Sequence, residues 1–274
     1  MGILYLVGTP IGNLGDFSPR AVEILNEVDF IAAEDTRVTL KLLNHFDIKK
    51  PMISYFEHNI REKGEVICKR LEAGENCAIV TDAGMPAISD PGQDLVKICR
   101  ERGIEVHSVP GPTAAMTALA LSGLPTGRFC FEGFLSVNKK ARKDHLLSVK
   151  DEERTMVFYE APHKLMKTLE DFAKTFGEDR QIALCREMTK IYEEVLVMTI
   201  KEAIAHFEEK APKGEFVIIV HGKEESEKEE YTVESAVELA KNLMEEGLSP
   251  AQAAKEASKI SSVKKSDIYK ELVI

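Results

Sequence analysis

CAIVTDAGMPAISDPG, residues 77 to 92, decides the fold. Its first four residues are apolar and uncharged, which reads as a short strand buried on both faces. The twelve that follow hold two aspartates (Asp82, Asp90), two prolines (Pro86, Pro91) and two glycines (Gly84, Gly92), and then the helical pattern GQDLVKICRERG begins. A buried strand, a loop rich in backbone freedom and an amphipathic helix make the repeating unit of a parallel sheet. The unit recurs. ILYLVG, VDFIAAED and IEVHSVPG end in Gly, Pro or acid, and SPRAVEILNEV, TRVTLKLLNHF and NIREKGEVICKRLEAG lie between them as helices. Residues 1–124 are therefore expected to form an α/β domain with a mostly parallel sheet, its strand tips forming the functional rim.

Beyond Leu124-Pro125-Thr126-Gly127 the rhythm changes. RFCFEGFL, RTMVFYE, QIALCREM, YEEVLVMTI and EFVIIV give more strands with fewer helices, which predicts a second, mixed α/β domain over 125–222 with some antiparallel pairing and a cleft against the first. Residues 223–231 are charged and poor in apolar side chains, the composition of a linker. In 232–274, Thr232 caps a helix carrying Val233, Ala236, Val237, Ala240 and Leu243 at helical spacing. Gly247 stops it, Ser249-Pro250 starts a second helix, and a third follows a break at Ser261 and Ser262. This module reads as a helix-turn-helix or as a small helical appendage.

Composition narrows the chemistry. The chain has 274 residues and a net charge of −10, against the basic surface usual for polyanion binding. A local exception is NKKARKDH, with Lys139, Lys140, Arg142 and Lys143 within five positions, either a solvated helix face or a phosphate contact. Five scattered cysteines with no CxxC pair read as reduced core residues, and no His, Cys or carboxylate set has metal-ligand spacing. The apolar N-terminus lacks a basic flank and meets Pro10 and Gly12, so neither a signal peptide nor a membrane span is expected, and the cytoplasm is.

Two more glycine-rich strand ends join the first. LVGTPIGNLGD is spaced GxxxGxxG, which misses both the dinucleotide GxGxxG and the P-loop GxxxxGK[ST]. VPGPTAAMTALALSG leads into a helix of unusually small residues. No serine sits in GxSxG and the seven histidines are dispersed, so a hydrolase triad is not expected. Three such loops in one domain predict a ligand held in a narrow pocket, largely by main-chain groups.

LYLVGTPIGNLGD, AEDTR, TDAGMPAISDPG, VPGPTAAMTALALSGLPT, FEGFL, FYEAPHK, CREMTK and GEFVIIV stand in an order that closely resembles the RNA-modifying branch of the tetrapyrrole methylase superfamily, the class III S-adenosylmethionine-dependent methyltransferases. The resemblance runs from Met1 to about Gly222. It implies two α/β domains with S-adenosyl-L-methionine in the interdomain cleft. The implied enzyme is a homodimer that methylates the ribose 2′-hydroxyl of a cytidine in small-subunit ribosomal RNA.

If the family pattern holds, the cofactor residues are Pro10, Asp82, Ala83, Gly84, Ile88, Thr113, Ala114, Glu160, Ala161, Gly214 and Glu215. Methyl transfer to a neutral hydroxyl needs in-line positioning and a destination for the proton. Asp35 in AEDTR is a candidate base or orienting group, with a plain helix N-cap as the competing role. Arg37, Lys139, Lys140, Arg142, Lys143 and Lys190 are the candidate RNA contacts, although an ion pair would also account for the charges of CREMTK. Two other readings remain open. A cobalt-precorrin methyltransferase shares the fold but usually carries GxGPG where this chain has GTPIG, and a non-enzymatic RNA-binding protein would leave the three loops without a purpose.

Overall fold

The computed structural model describes residues 1–224, 231–245 and 247–272, in two compact units, Met1–Gly222 and Lys223–Ile274. The first unit holds two five-stranded sheets. Sheet one contains β1 (Ile3–Val7), β2 (Phe30–Ala33), β3 (Met52–Ser54), β4 (Cys77–Val80) and β5 (Glu105–Val109), in the order β3-β2-β4-β1-β5 with every pair parallel. Its central strands β2 and β4 are wholly buried, as their unbroken apolar runs require. Helices α1 (Pro19–Glu27), α2 (Thr36–His45), α3 (Ile60–Glu72) and α4 (Gln93–Glu101) complete the crossovers, and α5 (Ala114–Leu121) leads out of β5. Two apolar clusters fill the space under them, one around Phe30, Tyr55, Ile67 and Leu95 and one around Phe17, Leu25, Ile31 and Leu43.

Local chemistry sets the helix starts. Ser18 accepts from the Ala21 amide with Pro19 at the first helical position, Asp35 accepts from the Arg37 amide, and Thr113 accepts from the Met116 amide. Strand β3 has no counterpart among the expected elements. It is a three-residue edge strand after Pro51, half-buried throughout, too short to show a period.

Sheet two contains β6 (Phe129–Phe134), β7 (Thr155–Glu160), β8 (Gln181–Arg186), β9 (Glu194–Thr199) and β10 (Phe216–Val220), in the order β6-β7-β10-β8-β9. Only β6 and β7 pair in parallel; the other three pairings are antiparallel. Helices α6 (Lys139–Ser148), α7 (Pro162–Phe176) and α8 (Ile200–Glu209) accompany it. One face packs on α7 and α8 through Phe158, Phe172, Leu184 and Ile218, and the other meets Ala115, Ala118 and Leu119 of α5 through Val157, Ala183, Val217 and Ile219. The small residues of α5 let a helix from sheet one lie against sheet two, so both sheets belong to one compact unit.

The second unit has its own core. Helices α9 (Val233–Glu245), α10 (Pro250–Ser261) and α11 (Lys265–Leu272) pack through Ala236, Ala240, Ala253, Ala254, Ala257 and Ile268. Ser249 and Gln252 form a capping box, and Ser262, left-handed at φ 56°, makes the turn before α11. The expected linker, 223–231, falls largely on residues 225–230, outside the described residues. Among the described residues no helix is long and apolar enough to cross a membrane.

Candidate active site

The strand ends of sheet one are stitched together by backbone. The Thr9 amide donates to the Gly84 carbonyl (2.9 Å), the Gly84 amide donates back to Thr9 (3.1 Å), and the Thr9 hydroxyl donates to the Thr81 carbonyl (3.1 Å). Gly84 holds φ +85°, a conformation that strains any residue with a side chain. Gly8 and Gly111 lie back to back: a Cβ on Gly8 would stand 2.8 Å from the Gly111 Cα. The glycines thus serve the closeness of the β1, β4 and β5 loops to one another.

Between these loops and sheet two lies a cavity of about 730 Å³, within the range of small-molecule sites. Sheet one supplies Ile11, the stretches 83–85 and 88–90, and Thr113 to Met116. Sheet two supplies an aromatic wall. A bulge between Phe131 and Gly133 offsets the register of β6, and Phe131 and Phe134 both meet the Tyr159 ring, with centroids 5.1 and 5.3 Å away. The Tyr159 hydroxyl accepts from the Ala115 amide at the start of α5 (3.2 Å), a direct bond between the two walls.

Charge is distributed unevenly around this space. Asp90 lines the cavity, no hydrogen bond from a described residue reaches its carboxylate, and burial, then the neighbouring Asp82, push its pKa up. Glu160 is 4% exposed and committed at both oxygens, accepting from the Ala161 amide (2.9 Å) and the Thr168 hydroxyl (2.5 Å). Lys190 sits at the rim with its Nζ 3.0 Å from Glu187 and 2.9 Å from Glu215. Burial works against ionisation of Glu187, but the Glu215 amide and the Lys190 ammonium outweigh it and hold its pKa down.

Beside the cavity, the ends of β2 and β4 are cross-linked. The Asp35 amide donates to Asp82 (3.2 Å) and the Asp82 amide to Glu34 (3.3 Å), and burial raises the pKa of both Glu34 and Asp82. Asp35 differs because Arg37 grips it through two guanidinium nitrogens, at 3.0 and 2.6 Å. These bonds hold its pKa at about 2.

Of the expected cofactor residues, Ala83, Gly84, Ile88, Thr113, Ala114, Glu160, Ala161 and Glu215 line the cavity. Pro10, Asp82 and Gly214 stand outside the lining. Ile11, next after Pro10, supplies the apolar contact; Asp82 is turned to Glu34 and Asp35; Gly214 abuts the Glu187 side chain. Asp35 is the N-cap of α2 and does not line the cavity.

The expected RNA contacts divide. Arg37 is exposed, as are Lys139, Lys140 and Lys143 in the first turns of α6. Arg142 is not presented with them. Its Nε donates to Asp171 (2.8 Å) and its Nη2 to Thr168 (2.7 Å), leaving the side chain 13% exposed. Lys190 lines the cavity, bound to two carboxylates. Sequence reasoning missed Asp90, Phe131, Phe134 and Tyr159. All four belong to motifs that the family resemblance gathers around one cofactor, but no local pattern shows which side chains of those motifs turn into the cavity.

Comparison with known proteins agrees with this architecture. A family model described as Tetrapyrrole (Corrin/Porphyrin) Methylases matches residues 3–204. The chain is 47% identical over 269 residues to the ribosomal RNA small subunit methyltransferase I of Synechocystis sp., covering 98% of this chain and 96% of that one. It is 45% identical over 271 residues to the protein of that name from Escherichia coli O157:H7, covering 98% and 94%. The Thermotoga maritima protein of that name is 50% identical over 224 residues, which are 82% of this chain and 100% of that one. Among solved structures, the methyltransferase CobJ superposes with a TM-score of 0.61 at 18% identity, covering 81% of this chain and 95% of that one. Diphthine synthase does so with 0.60 at 14%, covering 81% and 90%. At these identities the two structures establish the fold alone.

Proposed function

Because the chain belongs to the tetrapyrrole methylase family, we propose that it is the S-adenosylmethionine-dependent methyltransferase of small-subunit ribosomal RNA, acting in the cytoplasm as a homodimer on the ribose 2′-hydroxyl of a cytidine. The observation that carries this reading is the cavity between the two sheets, with the near full-length similarity to proteins bearing that name.

The lining suits the cofactor chemically. Tyr159, Phe131 and Phe134 offer flat apolar surface to a purine, while Asp90, Glu160 and Glu215 surround the space with negative charge fitted to a ligand carrying an ammonium and a sulfonium. S-adenosylmethionine, when bound, supplies a methyl group activated by the sulfonium. The protein's tasks are to hold it, exclude water and orient the hydroxyl. Ala83, Gly84, Thr113 and Ala114 leave room for a ligand against main chain, and Asp90 is the carboxylate free to take its cationic end.

Asp35 orients the substrate. A carboxylate held at about 2 by Arg37 is ionised at neutral pH but a weak proton acceptor, so its work is to fix Arg37, which reaches solvent beside the cofactor loop and meets a phosphate oxygen. Lys139, Lys140 and Lys143 form the second phosphate contact. Lysines in the first turns of α6 oppose its dipole and stabilise nothing locally, and the Asn138 side chain already takes the Lys140 and Ala141 amides, so the attraction for an anion comes from the three exposed ammonium groups beside the positive end of the helix. A chain of net charge −10 then recognises RNA through local strips.

The test is transfer of labelled methyl from S-adenosylmethionine to small ribosomal subunits lacking their methyl groups, followed by nuclease digestion and mass analysis of the nucleosides. A 2′-O-methylcytidine product supports the reading in full. Label on another nucleoside corrects the acceptor, and a protein that binds no S-adenosylmethionine removes the enzyme reading.

A further inference from the structure

Arg142 stands inside the most basic stretch of the chain yet is turned inward. Its Nε donates to Asp171, which also accepts from Lys167 (2.9 Å), and its Nη2 donates to the Thr168 hydroxyl. That hydroxyl has one proton, and it goes to Glu160. The polarity of the chain is therefore fixed: guanidinium to hydroxyl to carboxylate, ending on a carboxylate that lines the cavity. Thr168 is 1% exposed and Glu160 4%, so water is a poor substitute for either bond.

A buried carboxylate needs compensation. Glu160 receives it from the Ala161 amide at the start of α7 and, through Thr168, from Arg142, whose charge polarises the hydroxyl that Glu160 holds. The four groups come from three elements: Arg142 from α6, Thr168 and Asp171 from α7, and Glu160 from the end of β7. The same arginine ties the helix of exposed lysines to the wall of the cavity.

We propose that Thr168 and Arg142 are positioning residues for the cofactor, fixing the Glu160 carboxylate in the cavity wall through the chain Arg142 to Thr168 to Glu160, and that Arg142 is no RNA ligand. This rests on the reading of the cavity as the S-adenosylmethionine site. Thr168→Val keeps the side chain's shape and removes the donor. Glu160 then loses one of its two anchors and relaxes away from the geometry that meets the ligand.

The experiment is calorimetric titration of S-adenosylmethionine into the wild-type chain and into Thr168→Val, Thr168→Ser, Arg142→Gln and the Thr168→Val/Arg142→Gln double variant, with the unfolding midpoint of each. Thr168→Val weakens cofactor binding about tenfold, the size of one hydrogen bond to a charged group. Thr168→Ser, which restores the hydroxyl, binds within about twofold of wild type. Arg142→Gln loses affinity in the same direction, and the double variant is no weaker than the weaker single one, because the residues act in series. Binding to small ribosomal subunits at saturating cofactor is unchanged in Arg142→Gln, whereas Lys139→Gln/Lys140→Gln/Lys143→Gln loses it and keeps its cofactor affinity.

Wild-type affinity in both Thr168→Val and Arg142→Gln overturns the proposal and leaves the functional reading intact. So does an Arg142→Gln variant that keeps its cofactor and loses the ribosomal particle. A wild-type chain that does not bind S-adenosylmethionine overturns the functional reading itself, and the proposal with it.

Discussion

An aspartate that faces a cavity without a counter-ion makes that cavity's affinity for a cation depend on pH. The groups that face Asp90 electrostatically are Asp82, Glu34 and Tyr159, and none of them is cationic. Its pKa is raised, and a bound cation lowers it again, so affinity is complete once Asp90 is ionised and declines as pH falls through that raised value. Titration of S-adenosylmethionine between pH 4 and 8 should show this decline at the acid end, and Asp90→Asn should reduce the pH dependence and weaken binding at pH 7 by about tenfold or more. Asp35 behaves otherwise. Held at about 2 by Arg37, it stays ionised over the same range, so Asp35→Asn should lower turnover on ribosomal particles while the cofactor titration stays at its wild-type value. An Asp35→Asn enzyme with full turnover would remove Asp35 from the site.

At the scale of the element, the site depends on how closely three loops approach. Gly111 carries no side chain because Gly8 occupies that space: a Cβ on Gly111 would lie 2.9 Å from the Gly8 Cα and 2.9 Å from its carbonyl oxygen, both main chain and unable to yield cheaply. Gly111→Ala should therefore push the β5 loop off the β1 loop and cost about 1–3 kcal/mol of stability, as overpacking does. Cofactor affinity should fall further than that destabilisation alone implies, since Thr113 and Ala114 follow directly. Thermal unfolding and calorimetry on one preparation separate the two effects. Gly103, at φ +70° but with nothing within 4 Å of the added Cβ, is the control: its alanine variant should show only a backbone cost and keep its cofactor.

For the whole molecule, the first unit ends at Gly222, and the Thermotoga maritima relative is matched over all of its length by 224 residues of this chain. A chain ending at Gly222 should fold with a single cooperative transition and bind S-adenosylmethionine as the full chain does, because every cavity residue lies before that point. A truncated chain that fails to bind would make the helical unit part of the site. What the sequence by itself determined was local: strands β1, β2, β4 and β5, the helices between them, the presence of antiparallel pairing in the second half and most of the loops that line the cavity. Apolar runs, caps and glycines act within a few residues of their own positions. Three-residue β3 left no period to read. The tertiary structure alone decided that Phe131, Phe134, Tyr159 and Asp90, far apart in the chain, line one cavity, and that Arg142, one of four adjacent cations, turns inward to Thr168 and Asp171 while three lysines stay in water. The direction and partners of a side chain are settled by which surfaces the fold brings to face it, and a chain order carries that information only once both walls of the cavity exist.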